Sequence, residues 1–276
     1  MEKFCIITNS DKTANHYVAK HIKDYIDNHG GQCIILENRL LSPTGISHFT
    51  DVSKIPANTE CAIVLGGDGT MIQAAIDLVH KEIPIIGVNT GSLGFLTEVE
   101  QQNVDGALDR LISGDFTVEN RIMLKEVSCF QHPGQDGSSP DCYALNDIVV
   151  SKRGSIRLIT VKVYLNNELA DIYRADGVII STPTGSTGYN LSAGGPVLVP
   201  HVKAIIVTPI CPHSLNKRSL IVDASDSITL EIGQTKDTGK DLATVAADGR
   251  DVGQLSTGSR IVIKVPDSVT QIIKLS

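Results

Sequence analysis

Two hydrophobic periods alternate along residues 1–115 of the chain. Short runs rich in apolar and β-branched residues, typical of buried strands, occur at residues 4–8, 33–36, 61–65 and 83–88. Apolar residues also recur at helical spacing, in the stripes Val18/Ile22/Tyr25/Ile26, Ile72/Ala75/Ile76/Val79 and Val104/Leu108/Leu111/Ile112. Strands that alternate with amphipathic helices predict a parallel sheet with helices packed on its faces.

Beyond about residue 120 helical periodicity is hard to find. Strand-like runs follow one another at residues 124–130, 147–151, 156–165, 177–181, 204–208, 228–232 and 260–265. A segment rich in Gly, Pro, Ser and Asp, residues 131–141, predicts an exposed hairpin loop. We therefore predict an α/β N-terminal domain over residues 1–118 and a larger β-rich domain over residues 119–257. The tail, residues 258–276, fits either domain.

Composition narrows the class of protein. The chain has 276 residues, 41% of them hydrophobic, and a formal net charge of −7. No apolar stretch approaches the about 20 residues of a membrane span, and the first residues lack a basic-then-apolar leader pattern. The acidic balance argues against coating nucleic acid or an anionic membrane surface, although it permits a small phosphorylated ligand. Six scattered cysteines without a C-x-x-C pair predict reduced thiols in a cytoplasmic protein.

The 24 glycines collect in a few short loops, and the first of these is Gly66-Gly-Asp-Gly-Thr70. It follows a predicted strand and precedes a predicted helix, whose first N–H groups favour an anion. Glycine lets the backbone turn sharply and approach a ligand. Asp68 would be repelled by phosphates unless it binds Mg²⁺, accepts a hydroxyl proton or bonds a ribose. The alternative is a tight turn in which Asp68 caps the helix.

Two common nucleotide-binding loops are excluded. The pattern G-x-G-x-x-G would require glycine at Ile72 and an acidic residue about 20 positions on, where Asn89 stands. No Walker A loop is present either. An ordinary dehydrogenase and a P-loop ATPase are therefore not expected.

A second loop, Asn89–Leu96, also follows a strand, and it should meet the first loop at one edge of a parallel sheet. Phe95 could stack on a base there or be a core residue. A third segment, Arg174–Pro196, is dense in small and hydroxylic residues that offer many hydrogen-bonding groups, with a flexible linker as the alternative. Asn146 and Asp147 could bind an adenine edge and a ribose hydroxyl, or form a turn. The histidines form no metal-ligating pattern, and no metal ligand is predicted.

Five motifs, in their order along the chain, resemble those of the NAD kinase family. They are Gly66–Thr70, Asn89–Phe95, Asn146-Asp147, Asp176–Pro196 and Thr208–Leu215. The loop Gly66–Thr70 alone is shared with diacylglycerol, sphingosine and some sugar-phosphate kinases. The block Thr182-Pro-Thr-Gly-Ser-Thr-Gly-Tyr189 is much more specific, and the direct match spans roughly residues 60 to 220.

The resemblance implies ATP-dependent phosphorylation of NAD⁺ at the 2′-hydroxyl of its adenosine ribose, giving NADP⁺ and ADP. It implies Mg²⁺ or another divalent cation carried with ATP. A homodimer or homotetramer with sites near subunit contacts is also implied, without nucleic-acid or membrane partners. The implied fold is a Rossmann-like or phosphofructokinase-like α/β domain followed by a β-sandwich-like domain, and the tail is expected to pack on the first domain.

By position, the resemblance makes Asp68 the candidate general base and places phosphates against Gly66, Gly67 and Gly69. It assigns Asn146 to the adenine, Asp147 to ribose hydroxyls and Asp176 to the nicotinamide half. The remaining expected binding residues are Thr70, Phe95, Thr184, Thr187, Gly188, Tyr189 and Ser192.

The departures from the family pattern are small. Many members carry Glu at the position of Asp147 and Ala at the position of Gly188.

Two other functions stay open from the residues alone: a lipid kinase that shares only the glycine loop, and a non-catalytic NADP-binding regulatory protein. The choices of ATP or polyphosphate, and of NAD⁺ or NADH, are also open, as is inhibition by NADPH.

Overall fold

The chain divides into two units, the first formed by Met1–Arg121 with Ser268–Ser276 and the second by Ile122–Asp267. The computed structural model describes residues 1–9, 13–38, 50–91, 94–127, 142–154, 156–214, 216–234 and 242–275. The division between the units thus falls at 121/122, where the sequence predicted 118/119. The predicted hairpin loop at residues 131–141, and Ser92, Leu93 and Leu215 of the motifs, lie outside the described residues.

The first unit alternates strands and helices, as its hydrophobic pattern predicts. Its elements up to the division are β1 (Lys3–Asn9), α1 (Thr13–Asn28), β2 (Gln32–Asn38), a 3-10 turn (Val52–Lys54), β3 (Cys61–Gly66), α2 (Asp68–Asp77), β4 (Ile85–Asn89), β5 (Val99–Glu100), a 3-10 turn (Gln101–Asn103), α3 (Val104–Ser113) and β6 (Thr117–Ile122). Gly114 ends α3 with a φ of 80°, the left-handed conformation that favours glycine at a helix C-terminus.

Helices cover both faces of the first unit's sheet. Phe4 and Ile6 on one face join a core cluster with Ile22 of α1 and Leu108 of α3. On the opposite face, a Cβ on Gly87 would lie 2.8 Å from Met71 Sδ of α2. Because strand side chains alternate between faces, both faces are buried, and the strands are nearly continuous apolar runs.

One strand of the first unit's sheet comes from the C-terminal part of the chain. The strand order is β2-β1-β3-β4-β19-β6, with β5 also paired to β4, where β19 is Val269–Lys274. Strand β19 pairs in parallel with β4, and Ile273 joins the core cluster of this unit. The tail, residues 258–276, is therefore divided, because Arg260–Lys264 forms a strand of the second unit.

The second unit is built almost entirely from strands. Its elements are β7 (Leu124–Glu126), β8 (Cys142–Ala144), β9 (Asp147–Lys152), β10 (Ile159–Leu165), β11 (Glu168–Ala175), β12 (Gly177–Ser181), a 3-10 turn (Thr184–Thr187), α4 (Tyr189–Ser192), β13 (Ala204–Ile210), β14 (Leu220–Asp223), β15 (Ile228–Ile232), β16 (Leu242–Ala247), β17 (Arg250–Ser256) and β18 (Arg260–Lys264).

These strands form two six-stranded sheets, with orders β11-β10-β15-β18-β7-β8 and β14-β13-β12-β9-β16-β17. Val161 and Leu230 of the first sheet share one core cluster with Val150 and Val178 of the second, so the two sheets form a sandwich. The predicted fold class, an α/β domain followed by a β-rich sandwich domain, is confirmed.

Two general properties of the described residues complete the fold. None of their helices combines the length and apolarity needed to cross a membrane. Five described cysteines are free thiols, four of them buried, and Cys129 lies outside the described residues.

Candidate functional site

The carboxylate of Asp68 joins the first two glycine loops. Asp68 is the first residue of α2, and its side chain accepts hydrogen bonds from the backbone N–H of Phe95, at 2.9 Å, and of Leu96, at 3.0 Å. Each carboxylate oxygen accepts one of these bonds, which leaves each with further lone-pair capacity. The alternative that Asp68 caps the helix is wrong, because the N-cap residue is Gly67 and no side chain caps α2.

The glycines of the first loop have different roles. A Cβ on Gly66 would lie 2.3 Å from Thr70 Oγ1, so this glycine makes room for the threonine side chain. At Gly67 and Gly69 no atom lies within 4 Å of the Cβ position, apart from the neighbouring residues and the backbone of the helix itself. These two positions therefore leave open space beside the first turn of α2, where unpaired N–H groups favour an anion.

The second loop exposes its aromatic residue. Phe95 is 79% exposed, so the alternative that it is a core residue is wrong. Asn89, at the end of β4, accepts the N–H of Gly91 at 2.7 Å and fixes the start of the loop. A recess of about 520 Å³, lined by Asn89, Thr90, Gly91, Glu100, Gln101 and Gln102, opens beside it.

In the second unit, the segment Leu145–Asp147 is held on two sides. Asp248, in the turn between β16 and β17, accepts the N–H groups of Leu145, Asn146 and Asp147 at 2.7, 2.8 and 3.0 Å. Thr182 Oγ1 donates to the carbonyl of Leu145 at 2.6 Å. The backbone N–H of Thr182 donates to the carbonyl of Asn146 at 2.9 Å. The backbone of this segment is thereby fixed.

Asp147 is a buried carboxylate without a hydrogen-bond partner among the described residues. It is 7% exposed, and burial together with the nearby charge of Asp248 raises its pKa to about 7. Burial also raises the pKa of Asp248, against the opposing effect of its three N–H donors. A buried carboxyl with a strongly raised pKa is a common mark of a functional site.

The third segment is ordered by a buried polar network, so the alternative of a flexible linker is wrong. Asn190 is fully buried, and its Nδ2 donates to the carbonyls of Ser186, at 3.1 Å, and Pro196, at 2.9 Å. Its Oδ1 accepts the hydroxyl of Thr208 at 2.7 Å. A Cβ on Gly195 would lie 2.0 Å from the same Oδ1. This network fixes the segment against β13.

The predicted residues of the third segment fall on its turn, its short helix and the preceding strand end. Thr184 and Thr187 bound the 3-10 turn, and Gly188 precedes α4, whose residues Tyr189 and Ser192 are exposed. Gly185 packs on the backbone of Asn146, because a Cβ there would lie 2.3 Å from its carbonyl oxygen.

Asp176 is half-buried between β11 and β12 and forms an ion pair with Lys152 of β9. Its Oδ1 lies 2.5 Å from Lys152 Nζ. The structure thus groups Asn146 and Asp147 with the third segment inside the second unit, while Asp68 and Phe95 belong to the first.

The described residues contain no group of three or more His, Cys, Asp or Glu side chains that could hold a metal ion. Mg²⁺ that binds together with phosphates and water commonly takes only one or two carboxylates from the protein. Asp68 is a residue that could supply one, because each of its oxygens keeps lone-pair capacity.

Sequence reasoning missed four supporting residues: Gly94, Thr182, Asp248 and, in its buried role, Asn190. The pair Asp248-Gly249, with φ of 46° and 75°, is a recognisable hairpin-turn signal. That signal predicts the turn but not the three amides that the Asp248 carboxylate binds.

Comparison with known proteins places both units in one family. A family model described as the ATP-NAD kinase N-terminal domain matches residues 5–116, and one described as the ATP-NAD kinase C-terminal domain matches residues 145–275. The NAD kinase of Lachnoclostridium phytofermentans is 44% identical over 275 residues, covering 100% of this chain and 94% of that protein.

Two crystal structures are similar in fold. Yeast NADH kinase complexed with NADH matches with a TM-score of 0.77 and 24% identity, covering 100% of this chain and 84% of that one. An NAD kinase from Archaeoglobus fulgidus in complex with ATP matches with a TM-score of 0.74 and 24% identity, covering 99% and 94%. The family match over both units rules out a kinase that shares only the glycine loop.

Proposed function

Because the chain belongs to the NAD kinase family and has its activity, the phosphorylation of NAD, we propose a specific chemical role for the residues described above. The 2′-hydroxyl oxygen of the adenosine ribose of NAD⁺ attacks the γ-phosphorus of ATP. A new O–P bond forms, the bond to the ADP oxygen breaks, and the hydroxyl proton passes to the carboxylate of Asp68. The products are NADP⁺ and ADP.

The observation that carries this proposal is the placement of Asp68. Two backbone N–H groups hold its carboxylate at 2.9 and 3.0 Å, while both oxygens keep lone pairs for a hydroxyl. A general base must be held within hydrogen-bond reach of the proton that it accepts. A side chain fixed by the backbone of a neighbouring loop meets that requirement better than a freely rotating one.

We place the phosphates of ATP at the open side of the first loop. At the Cβ positions of Gly67 and Gly69 no atom lies within 4 Å, apart from the neighbouring residues and the backbone of the helix itself, so a ligand can approach the backbone there. The positive end of the α2 dipole adds to this attraction. A divalent cation, Mg²⁺ or another, would be held by the phosphates and Asp68, and when bound it would neutralise charge on the transferred group.

We place NAD on the second unit's residues. Asn146 has a side-chain amide free of hydrogen bonds to other described residues, and it would bind the adenine edge. The ionised carboxylate of Asp147 would accept ribose hydroxyls. Thr187, Gly188 and Ser192 would line the adenine pocket, and Thr184 of the same segment would contribute to binding. Asp176 would face the nicotinamide half, and Tyr189 would pack between the two halves. The resemblance gives Phe95 of the first unit the role of an aromatic ligand contact.

A cytoplasmic location and a homodimer or homotetramer with sites near subunit contacts complete the proposal. Both rest on the family resemblance. The exposed side chains of Tyr189, at 47%, and Leu191, at 48%, are compatible with such a contact.

The test follows NADP⁺ formation from purified protein, NAD⁺, ATP and Mg²⁺ through an NADP-dependent dehydrogenase. Asp68→Asn should lower kcat by about 10²- to 10⁴-fold, the usual contribution of a general base, while calorimetry still detects NAD binding. Asp77→Asn is the matched control, because Asp77 of the same helix also accepts a loop N–H, that of Thr50 at 2.9 Å. Wild-type turnover in Asp68→Asn would remove this residue from the mechanism. A lack of NADP⁺ with ATP and with polyphosphate would refute the proposed reaction.

A further inference from the structure

We propose that Asp248 is a positioning residue for NAD, which fixes the backbone of Leu145–Asp147 so that Asn146 and Asp147 present their side chains to the adenosine. This inference rests on the proposed function, because it takes those two residues as the adenosine contacts.

The geometry around Asp248 is that of an anion bound by consecutive amides. Its Oδ2 accepts Leu145 N–H at 2.7 Å, and its Oδ1 accepts Asn146 N–H at 2.8 Å and Asp147 N–H at 3.0 Å. The N–H of Asp248 returns a bond to the carbonyl of Asp147 at 2.9 Å. Successive backbone N–H groups that converge in this way form an anion-binding concavity. Here a side chain of the same unit fills it.

The backbone carbonyls on the opposite side of Leu145–Asp147 are also hydrogen-bonded. Only the side chains of this segment therefore remain available to a ligand. Thr182 bonds the carbonyls of Leu145 and Asn146 at 2.6 and 2.9 Å. Neither the Asn146 amide nor the Asp147 carboxylate bonds another residue among those described. The segment therefore has a fixed backbone and two unused polar side chains, which is the arrangement that a recognition site requires.

The turn alone does not explain a carboxylate at this position. Asp248 and Gly249 adopt φ of 46° and 75°, a conformation that Asn-Gly satisfies as well as Asp-Gly. Burial makes the charge at Asp248 costly, since it raises the pKa of this carboxyl. A carboxylate is favoured over an amide only because three N–H donors need three acceptor sites, which the two oxygens of Asp248 supply.

The charged and titratable groups around Asp147 and Asp248 lie on three neighbouring strands. Arg250 of β17 lies near Asp248 and donates from Nη2 to the carbonyl of Tyr143 at 3.1 Å. Cys142 of β8 faces them as a neutral thiol, because burial raises its pKa to about 12, and Glu126 of β7 contributes to that increase. Asp147 itself begins β9, and the charge that acts on it is that of Asp248. Removing the charge at 248 should therefore ease the ionisation of Asp147.

Two substitutions distinguish the hydrogen bonds of the Asp248 carboxylate from the contribution of this residue to the turn. Asp248→Gly removes all three acceptor contacts but tolerates the positive φ. Asp248→Asn keeps Oδ1 for Asn146 and Asp147, removes the charge, and turns an NH₂ group toward the N–H of Leu145. The matched control is Asp251→Asn, since Asp251 lies in the same hairpin and accepts the N–H of Gly253 at 3.0 Å.

We expect Asp248→Gly to raise KM for NAD by about tenfold or more, with KM for ATP changed less than about twofold. In Asp248→Asn the acid limb of kcat/KM for NAD should move to lower pH, because the charge that opposes ionisation of Asp147 is removed, a change that partial unfolding alone would not produce. Asp251→Asn should match the wild type in both measurements.

A folded Asp248→Gly protein with wild-type KM for NAD, or with equal increases in both KM values, would overturn the proposal. If this variant fails to fold, an unmoved acid limb in Asp248→Asn would overturn it instead. Asn146→Ala separates the two proposals. A wild-type KM for NAD in Asn146→Ala would refute the adenosine contact and the positioning role together. A raised KM there, with no effect in the Asp248 variants, would refute the positioning role alone.

Discussion

The carboxylate of Asp68 occupies the place where a side chain at Gly94 would begin. An ideal Cβ on Gly94 would lie 2.0 Å from Asp68 Oδ1 and 2.4 Å from its Cγ. The two residues belong to different loops, which follow β3 and β4, and the adjacent N–H groups of Phe95 and Leu96 hold the same carboxylate. Gly94 is thus the glycine that lets the second loop close on the proposed general base.

Gly94→Ala should displace Asp68 and lower kcat by about 100-fold, the scale expected for a misplacement near 1 Å. The thermal unfolding temperature should change far less than activity, since the loop is near the surface. Gly106→Ala in α3 is the control, because nothing lies within 4 Å of its Cβ position. A Gly94→Ala protein with wild-type kcat would show that the position of Asp68 is not critical.

Asn190 should be a major contributor to the stability of the second unit. Asn190→Ala leaves the carbonyls of Ser186 and Pro196 without this donor, while the hydroxyl of Thr208 keeps its contact with Ser219 at 2.8 Å. The free energy of unfolding should fall by about 2–3 kcal/mol. Asn190→Asp should cost more, because a buried carboxylate cannot donate to either carbonyl.

Urea denaturation checks this order of stabilities. Asn103→Ala is the control, since Asn103 is exposed and makes no capping bond, and it should stay within about 0.5 kcal/mol of the wild type. An Asn190→Asp protein as stable as the wild type would contradict the buried network.

Asp147 should make stability depend on pH in the direction opposite to that of a salt-bridged carboxylate. Its pKa is raised from 3.8 to about 7, so between these values the folded protein binds more protons than the unfolded chain. The stabilisation is present at low pH and is lost as pH rises through about 7. Asp147→Asn should therefore be more stable than the wild type near pH 8, with the difference vanishing near pH 4.

The same ionisation should control substrate capture. In its proposed role, the Asp147 carboxylate accepts ribose hydroxyls more strongly when it is ionised. The value of kcat/KM for NAD should therefore rise with pH through about 7 in the wild type and lack this limb in Asp147→Asn. Unfolding free energies and kcat/KM measured across this range provide the check. A difference in stability that does not vary with pH would be incompatible with a raised pKa at Asp147.

If Asp176 faces the nicotinamide as proposed, Lys152 should set the charge that this carboxylate presents to the ring. The two side chains lie 2.5 Å apart at a half-buried position. The nicotinamide ring is cationic in NAD⁺ and neutral in NADH, so Lys152→Met should lower KM for NAD⁺ relative to NADH, by about two- to fivefold at low salt.

Lys162→Met is the control for that experiment. Lys162 pairs with Glu231 at 2.7 Å in the other sheet of the same unit, and its loss should leave the ratio of the two KM values unchanged. An unchanged ratio in Lys152→Met, or equal changes in both variants, would disprove the role of the pair.

The sequence predicted best where strands are buried on both faces. Strands such as Cys61–Gly66 and Gly177–Ser181 are buried along their whole length and have apolar interiors, so composition alone predicts them. Strand β11, Glu168–Ala175, was missed because most of its residues face solvent at a sheet edge. Its signal was the turn Asn166-Asn167, with φ of 51° and 71°.

The candidate site, too, was predicted in part from the sequence. The motif residues are contiguous in sequence, and their resemblance to a family could be recognised directly. Their supporting contacts join positions far apart in the chain, such as Asp248 to Leu145 and Asp68 to Leu96. No local periodicity reports such pairs, because they depend on how separate loops pack after folding.

Strand β19 has a consequence for the order of events during synthesis. It lies between β4 and β6 in the first unit's sheet, yet the ribosome makes it after every residue of the second unit. The nascent first unit therefore has a gap at the β4 edge, with unpaired backbone groups exposed, while the sandwich strands are produced. Domains usually fold as they emerge from the N-terminus. Here the sheet of the first unit can be completed only after the last strand of the chain has been made.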